Sequence, residues 1–518
     1  MRSARANKPR ARKARPVPAS ETPRVTVAGW PRFPTIYEVS TWAWLSELGR
    51  KAGSAVNLGT VPAAAWDALA APGFDAVWLM GVWERSPAGI AIANKNEGLL
   101  ADFRRALPDF RIEDNVGSPY CVRAYRVDPH LGGPAGLATA RTELAKRGVR
   151  LLLDLVPNHV APDHAWVGEH PEYFVQGHPD DARNDPASFA QVGKISIARG
   201  RDPFFPPWPD VLQLNAFRPE LRRAMIDTVA GLADQCDGIR CDMAMLMLND
   251  VFERTWGARA GPRPLTEYWA GVIGAVRAHH PQFRFIAEAY WDLEWTLQQL
   301  GFDFCYDKRL LDRLEHDDAE SVRLHLCAEP AYQQRLLRFI ENHDEPRAAS
   351  AFAPGRAQAA GVTMASLQGA RMFHEGQLEG YRVRLPVFLG RRPREPVDPA
   401  VQAFYGKLLA AINRPVFRGG DWHLCDVTGW PDNPSHRNVV AWSWQQDQDR
   451  FLIIVNLSGA AAQARVRVPW TDAAGGTWRF DDALSGERYD RSGDEIADAG
   501  LYVERPPWGY HFFRAHRQ

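Results

Sequence analysis

"CDGIRCDMAM" (236–245) places an arginine and an aspartate two positions apart in an apolar run. Read as a strand, it turns Arg240 and Asp242 to one face and Ile239 and Cys241 to the other. Removing an ion from water costs several kcal/mol even after relaxation, and pairing only partly offsets it, so stability alone does not account for the two charges. The stretch follows "RPELRRAMIDTVAGLADQ" (218–235), whose apolar residues recur at helical spacing. A helix feeding a buried strand is the unit from which the rest of the chain is read.

The same unit recurs from about residue 35 to 412. Short apolar runs are "TIYEVST" (35–41), "FDAVWLMGVW" (74–83), "VRLLLDLV" (149–156), "CDGIRCDMA" (236–244), "FRFIAEAYW" (283–291), "FDFCYDKRL" (302–310), "LRFIENHD" (337–344) and "ARMFHEGQ" (370–377). Helical patterns such as "AGLATARTELAKRG" (135–148) lie between them. Continuous apolar strands alternating with helices imply a parallel sheet covered by helices, and eight of them imply an α/β fold closed as a (β/α)8 TIM barrel. A doubly wound open sheet is the competing topology, but no G-x-G-x-x-G follows the first strand.

The spacing is regular except after the third strand. There "PDHAWVGEHPEYFVQGHPDDARNDPASF" (162–189) and "GRDPFFPPWPD" (200–210) replace a short loop, giving an insertion over about 160–216 at the face where barrel active sites lie. Beyond 413 the pattern changes to alternating runs, "NVVAWSW" (438–444), "RFLIIVNLS" (450–458), "ARVRVPW" (464–470), "WRFDDAL" (478–484) and "GYHFFRA" (509–515). The expected organisation is a basic arm over 1–26, a catalytic barrel over 27–412, and an antiparallel β-sandwich over 413–518.

Lys plus Arg and Asp plus Glu are both 62, so the net charge of the 518-residue chain is zero and does not recommend nucleic acid or anionic lipid as a partner. No apolar stretch reaches the 18 residues or so that a membrane span requires. The first 25 residues are basic and Pro-rich without an apolar h-region, which reads as a disordered, solvated arm rather than a secretory signal. The six cysteines show no C-x-x-C pairing and sit mostly in apolar runs, favouring buried thiols in a reducing, cytoplasmic setting over disulfides or zinc.

Polar residues at the C-terminal ends of barrel strands read as catalytic. These are Asp154 and His159 after the third strand, Arg240 and Asp242 on the fourth, Glu288 on the fifth, and Asn342, His343 and Asp344 on the seventh. The apolar and aromatic neighbours of Glu288 disfavour its ionised form, whereas Arg240 is expected to lower the pKa of Asp242. One protonated and one ionised carboxyl near neutrality suit glycoside hydrolysis. Taken singly, Asp242 with Arg240 reads equally well as a structural ion pair, and Glu288 or His343 as an ordinary residue at a strand end. Four strands carrying such groups at the same end favour a site.

The chain here resembles the α-amylase family, glycoside hydrolase family 13. "DLVPNH" (154–159), "GIRCD" (238–242), Glu288 of "IAEAYW" (286–291) and "ENHDEPR" (341–347) match its four short motifs in order, and "GQLEG" (376–380) resembles its eighth-strand segment. The resemblance implies a retaining mechanism with Asp242 as nucleophile and Glu288 as acid and base. Asp344 would act as the third catalytic carboxylate, binding ring hydroxyls with His343, while Arg240 orients Asp242. Tyr120, in "GSPYCVRAY" (117–125), and His159 would contact the same sugar, with Asp154 and Asn158 supporting the site. The seventh strand would have to end near 342 for His343 and Asp344 to share the site.

Departures touch the substrate. Cys121 follows Tyr120 where many exo-acting members carry Asp, and "MAML" (243–246) replaces the Lys-His pair of many amylases. "WPDVLQLN" (208–215) matches no particular subgroup. The reading is a glycosidase acting on α-linked glucosides, with a transglycosylase or phosphorylase as the nearest alternative and a non-catalytic carbohydrate-binding barrel as a remote one. No cofactor or catalytic metal is expected. A structural calcium would draw on Asn158 and on the insertion's Asp163, Asp180, Asp181 and Asp185, but these form no compact D-x-[DN]-x-[DN]-G loop.

Overall fold

A computed structural model describes residues 29–518, so the basic arm expected over 1–26 lies outside the described residues. All eight runs form strands: β1 (Thr35–Ser40), β2 (Ala76–Met80), β3 (Arg150–Leu155), β4 (Gly238–Cys241), β5 (Arg284–Ala287), β6 (Phe304–Tyr306), β7 (Leu336–Arg338) and β8 (Ala370–His374). They pair in parallel and close as a barrel, with β1 between β8 and β2.

The β4 unit shows how local sequence sets this. Pro219 starts the helix Pro219–Ala233 with φ already suited to it, and Leu221, Met225, Val229 and Leu232 form its buried face. Asp237 then clamps β3, accepting Leu151 N on Oδ2 (2.8 Å) and donating its own amide to Leu151 O (2.8 Å). Gly238 is required by close approach, because a Cβ there would meet Arg284 O at 2.7 Å and Leu152 Cδ2 at 2.8 Å.

The two longest excursions leave the C-terminal face after β2 and β3. The expected one after β3 contains the strand pairs His159–Val160 with Leu212–Gln213 and Phe189–Val192 with Ile195–Ala198. The other, over 81–149, corrects the expectation of regular spacing elsewhere. It pairs Trp83–Arg85 with Val122–Val127 and adds the helices Pro87–Ala93 and Glu97–Ala106 before the barrel helix Gly133–Lys146. Its apolar residues Leu100, Phe103 and Leu107 fall at helical spacing, so from sequence the segment passes for an ordinary barrel helix.

The C-terminal β-domain has a six-stranded sheet facing a three-stranded one. "FLIIV" is continuously apolar because both faces of its strand are covered. Leu452 and Ile454 pack between the two sheets, while Phe451, Ile453 and Val455 join the cluster that includes the barrel's Leu408 and Phe417. Trp442 and Trp444 donate their indole N–H groups to Ser366 O (3.1 and 2.6 Å), tying the sheet to the helix Arg356–Ser366. No helix among the described residues is long and apolar enough to cross a membrane. The six cysteines are free thiols, all buried except Cys327.

Trp444 fixes this junction. Trp444→Ala removes a fully buried indole and its hydrogen bond, and is expected to destabilise the fold by ~3–5 kcal/mol, read as a lower urea midpoint. An unchanged midpoint would refute the account of the interface.

Candidate active site

Arg240 projects from β4 into the barrel. Its Nη1 contacts Asp242 Oδ1 at 2.8 Å and its Nη2 contacts Glu288 Oε2 at 2.9 Å, with all three side chains at most 6% exposed. Its guanidinium carbon lies 5.2 Å from the ring centroid of Tyr120, 5.4 Å from Trp78 and 5.6 Å from Tyr306. Such contacts reach about 2 kcal/mol each when desolvated, which offsets part of the cost of burying the cation. The Tyr306 hydroxyl also accepts from Nε (3.3 Å), and Asp154 is the β3 residue in register with Arg240.

The chain turns sharply after β4. Asp242 N donates to Leu155 O (2.8 Å), and Met243 takes the left-handed region at φ 41°, uncommon for a residue with a side chain. This aims Met243 N at Glu288 Oε2 (2.5 Å), while Ala244 N donates to Glu288 O (3.1 Å). The Tyr290 hydroxyl donates to Glu288 Oε1 (3.0 Å). Neither the Met243 amide nor Tyr290 is named by the sequence reading. A tyrosine two residues beyond a strand-end carboxyl was the available signal for the second.

Burial pushes the Glu288 carboxyl up to about 7, against the attraction of Arg240 and with help from Asp242 and Asp344. Asp242 is a correction. Burial raises it to about 6 instead of Arg240 lowering it, since that guanidinium is shared with Glu288 and other carboxylates stand nearby.

β7 ends at Arg338, and the Asn342 side chain shapes the turn beyond it by accepting Asp344 N and Glu345 N (both 2.9 Å). His343 and Asp344 therefore meet without strand alternation, His343 Nε2 lying 2.9 Å from Asp344 Oδ2. The buried Glu38 of β1 bonds His343 Nδ1, and the Tyr120 hydroxyl lies 2.6 Å from Nε2. Burial opposes a charge on His343, but Asp344 and Glu38 outweigh it and hold its pKa well above the usual value. Asp344, with 45% of its side chain exposed at the mouth, is brought down to about 2 by His343, Arg240 and Arg384 despite the desolvation of its surroundings. Glu38 is absent from the sequence reading, although a lone glutamate in the apolar "TIYEVST" carries the same signal as Arg240.

The remaining residues flank this cluster. Asp154 Oδ2 accepts Gly81 N (3.0 Å), and burial raises its pKa. His159 is buried 5.2 Å from the Trp208 ring, and desolvation lowers its pKa to about 4, so it is neutral near pH 7. Asn158 exchanges hydrogen bonds with Gln213, accepting on Oδ1 (2.9 Å) and donating to Oε1 (3.3 Å). Cys121 points away into an apolar cluster with Ala161 and Val211.

The calcium ligands considered from sequence do not fit an ion. Asn158 Oδ1 is taken by Gln213, Asp163 accepts from Ser86, Asp180 pairs with Arg183 (3.0 Å), Asp181 with Arg259 (3.2 Å), and Asp185 accepts Ser188 N (3.1 Å). Each oxygen group faces a donor of its own rather than a common centre.

Three carboxyls and one arginine at the C-terminal ends of parallel barrel strands stand where active sites of this fold lie. Residues 67–385 match the family described as alpha amylase, catalytic domain, and the chain belongs to the α-amylase family. It is 26% identical over 370 residues to alpha-amylase MalA of Haloarcula japonica, covering 69% of this chain and 49% of that one. Over 355 residues it is 25% identical to the alpha-1,4-glucan:maltose-1-phosphate maltosyltransferase of Rhodospirillum rubrum, covering 61% and 43%. The chain thus spans about half the length of the curated relatives it matches. Its fold matches the crystal structure of the maltogenic alpha-amylase AmyB of Thermotoga neapolitana with a TM-score of 0.65 at 17% identity, covering 94% and 99%.

The raised pKa of Glu288 has a consequence for stability. The folded chain keeps this proton up to about 7, whereas an unfolded glutamate loses it near ~4.3, so stability falls as pH rises through that window. Glu288→Gln does not titrate, so its melting temperature relative to the parent is expected to rise from pH 5 to pH 8. A difference that stays constant would refute the assignment. Dialysis against a strong chelator is expected to change neither the melting temperature nor turnover, and a loss of either restored by calcium would overturn the fit argument.

Proposed function

We propose that the chain is a retaining α-glycoside hydrolase acting on α-linked glucosides through a covalent glycosyl-enzyme. The observation that carries this reading is the single guanidinium joining Asp242 and Glu288. Two carboxyls gripped by one fork suit the close spacing of a retaining pair, ~5–5.5 Å, better than the wider gap that admits a water in inverting enzymes. Asp242 attacks the anomeric carbon while Glu288 gives its proton to the departing oxygen. Glu288 then takes a proton from water, whose oxygen displaces Asp242 and releases the sugar. Asp344 and His343 bind ring hydroxyls, Tyr120 offers its ring to the sugar, and neutral His159 contributes a hydrogen bond.

A second reading transfers the glycosyl unit to another sugar or to phosphate. It is favoured by the maltosyltransferase relative and uses the same residues up to the glycosyl-enzyme.

Turnover needs Asp242 ionised and Glu288 protonated, so the pH profile is expected to be bell-shaped, falling on the acid side as Asp242 takes up a proton and on the alkaline side as Glu288 loses one. Glu288→Gln is expected to lose ~10²–10⁴-fold on unactivated glucosides and much less on α-glucosyl fluoride, whose leaving group needs no proton. Asp242→Asn is expected to be inactive on both. Proton NMR of the first product should show retained α configuration; an inverted product, or ordinary turnover in a folded Asp242→Asn, would overturn the reading. Chromatography of products with and without phosphate separates hydrolysis from transfer.

A further inference from the structure

Between β8 and the helix Pro399–Ile412, residues 382–392 run without helix or strand, yet they are tied to two different parts of the barrel mouth. At one end, Arg384 Nη1 donates to Asp344 O (3.0 Å) and Arg347 Nε to Val383 O (3.3 Å). At the other, Arg85 donates to both Val387 O (3.2 Å) and Gly117 O, and Val116 N donates to Phe388 O (2.9 Å). Gly390 N donates to Asp114 O (2.8 Å), and a Cβ on Gly390 would approach Val116 Cγ1 to 2.8 Å. Arg391 forks onto Asp114 (2.7 Å to each oxygen) and reaches Asp109 (3.1 Å), while Arg392 pairs with Glu375 (2.6 Å). Leu389 completes an apolar cluster with Leu100, Phe103 and Leu107.

The strap therefore joins the loop after β7 to the segment before Tyr120, and at its far end Arg392 returns to Glu375 beyond β8. That is the side of the barrel opposite β4 and β5. On the proposed function, the leaving group must lie beside its acid, Glu288 on β5, while the retained sugar is held by Asp344, His343 and Tyr120. The strap is bonded to the backbone of Asp344 and, through Arg85, to that of Gly117, so it borders the side of the mouth on which Asp344, His343 and Tyr120 lie. We infer that the strap 382–392 closes the glycone side of the site, so that the enzyme acts only at free non-reducing chain ends and not within an α-glucan. Closure comes from a pinned backbone wall rather than from a carboxylate after Tyr120, where this chain has Cys121.

The inference rests on the proposed function, and the experiment separates the two. The full chain is given α-glucosyl fluoride and p-nitrophenyl maltooligosaccharides with the non-reducing end either free or blocked by a 4,6-ketal. The free substrates are expected to turn over and the blocked one at least ~100-fold more slowly. Arg391→Ala, which removes a partly exposed pin remote from the carboxyls, is expected to narrow that ratio by ~10-fold or more while leaving turnover of the fluoride unchanged. Equal rates on free and blocked chains would overturn the inference alone. No turnover of any donor, the fluoride included, would overturn the proposed function and the inference with it.

Discussion

The site is organised by the burial of one guanidinium. Arg240 lies among three aromatic rings that accept it face-on and two carboxyls that share its fork. Removing the arginine would leave Asp242 and Glu288 buried without the cation they share, a loss of several kcal/mol, which gives Arg240 a structural as well as a chemical role. Its planar, permanently charged head meets each carboxyl with a separate nitrogen, a fork that a lysine ammonium lacks.

Around this pair, the backbone does work usually credited to side chains. β4 stops one residue short of Asp242, and the left-handed turn at Met243 brings an amide onto Glu288. Strain of this kind costs about 1–3 kcal/mol and persists where the surroundings over-determine it. Here the turn is held by Asp242 N on β3 and by Ala244 N on the Glu288 carbonyl. The sharp turn thus couples the geometries of Asp242 and Glu288, so neither can move without the other.

The barrel was legible because parallel strands buried on both faces write continuous apolar runs, and all eight runs correspond to strands. The fold's larger surprises lie where periodicity is ambiguous. The helix Glu97–Ala106 carries the pattern of a barrel helix while packing on the mouth, and Asp421–Leu424, Asp426–Thr428, Arg488–Ser492 and Leu501–Arg505 are strands with exposed or polar alternate residues. The site residues on strand ends were legible as charges in apolar runs, and the structure gathers Asp242, Glu288, Asp344, Arg240, His343 and Tyr120 into one cluster. Tyr290 and the Met243 amide were not, because a hydrogen bond made across a turn leaves no periodic trace. The direction of the Asp242 shift was misjudged because pairing was read from two neighbours in sequence, whereas Arg240 is shared across strands.

That sharing divides the carboxyls into two groups by the cation each can claim. Glu38 and Asp344 flank His343, and both have lowered pKa values because they face an imidazolium they help to create, although burial opposes each. Asp154, Asp242 and Glu288 all depend on Arg240, and all three are raised because burial exceeds what one guanidinium can offset among three acids. Each of the three therefore holds its proton to a higher pH than a solvated carboxyl does. Asp242 and Glu288 divide the guanidinium between them at 2.8 and 2.9 Å, and Glu288 also feels the charge on Asp242. The pair thus shares one cation too few, and an extra positive charge in the pocket would lower both pKa values and take the proton from the acid.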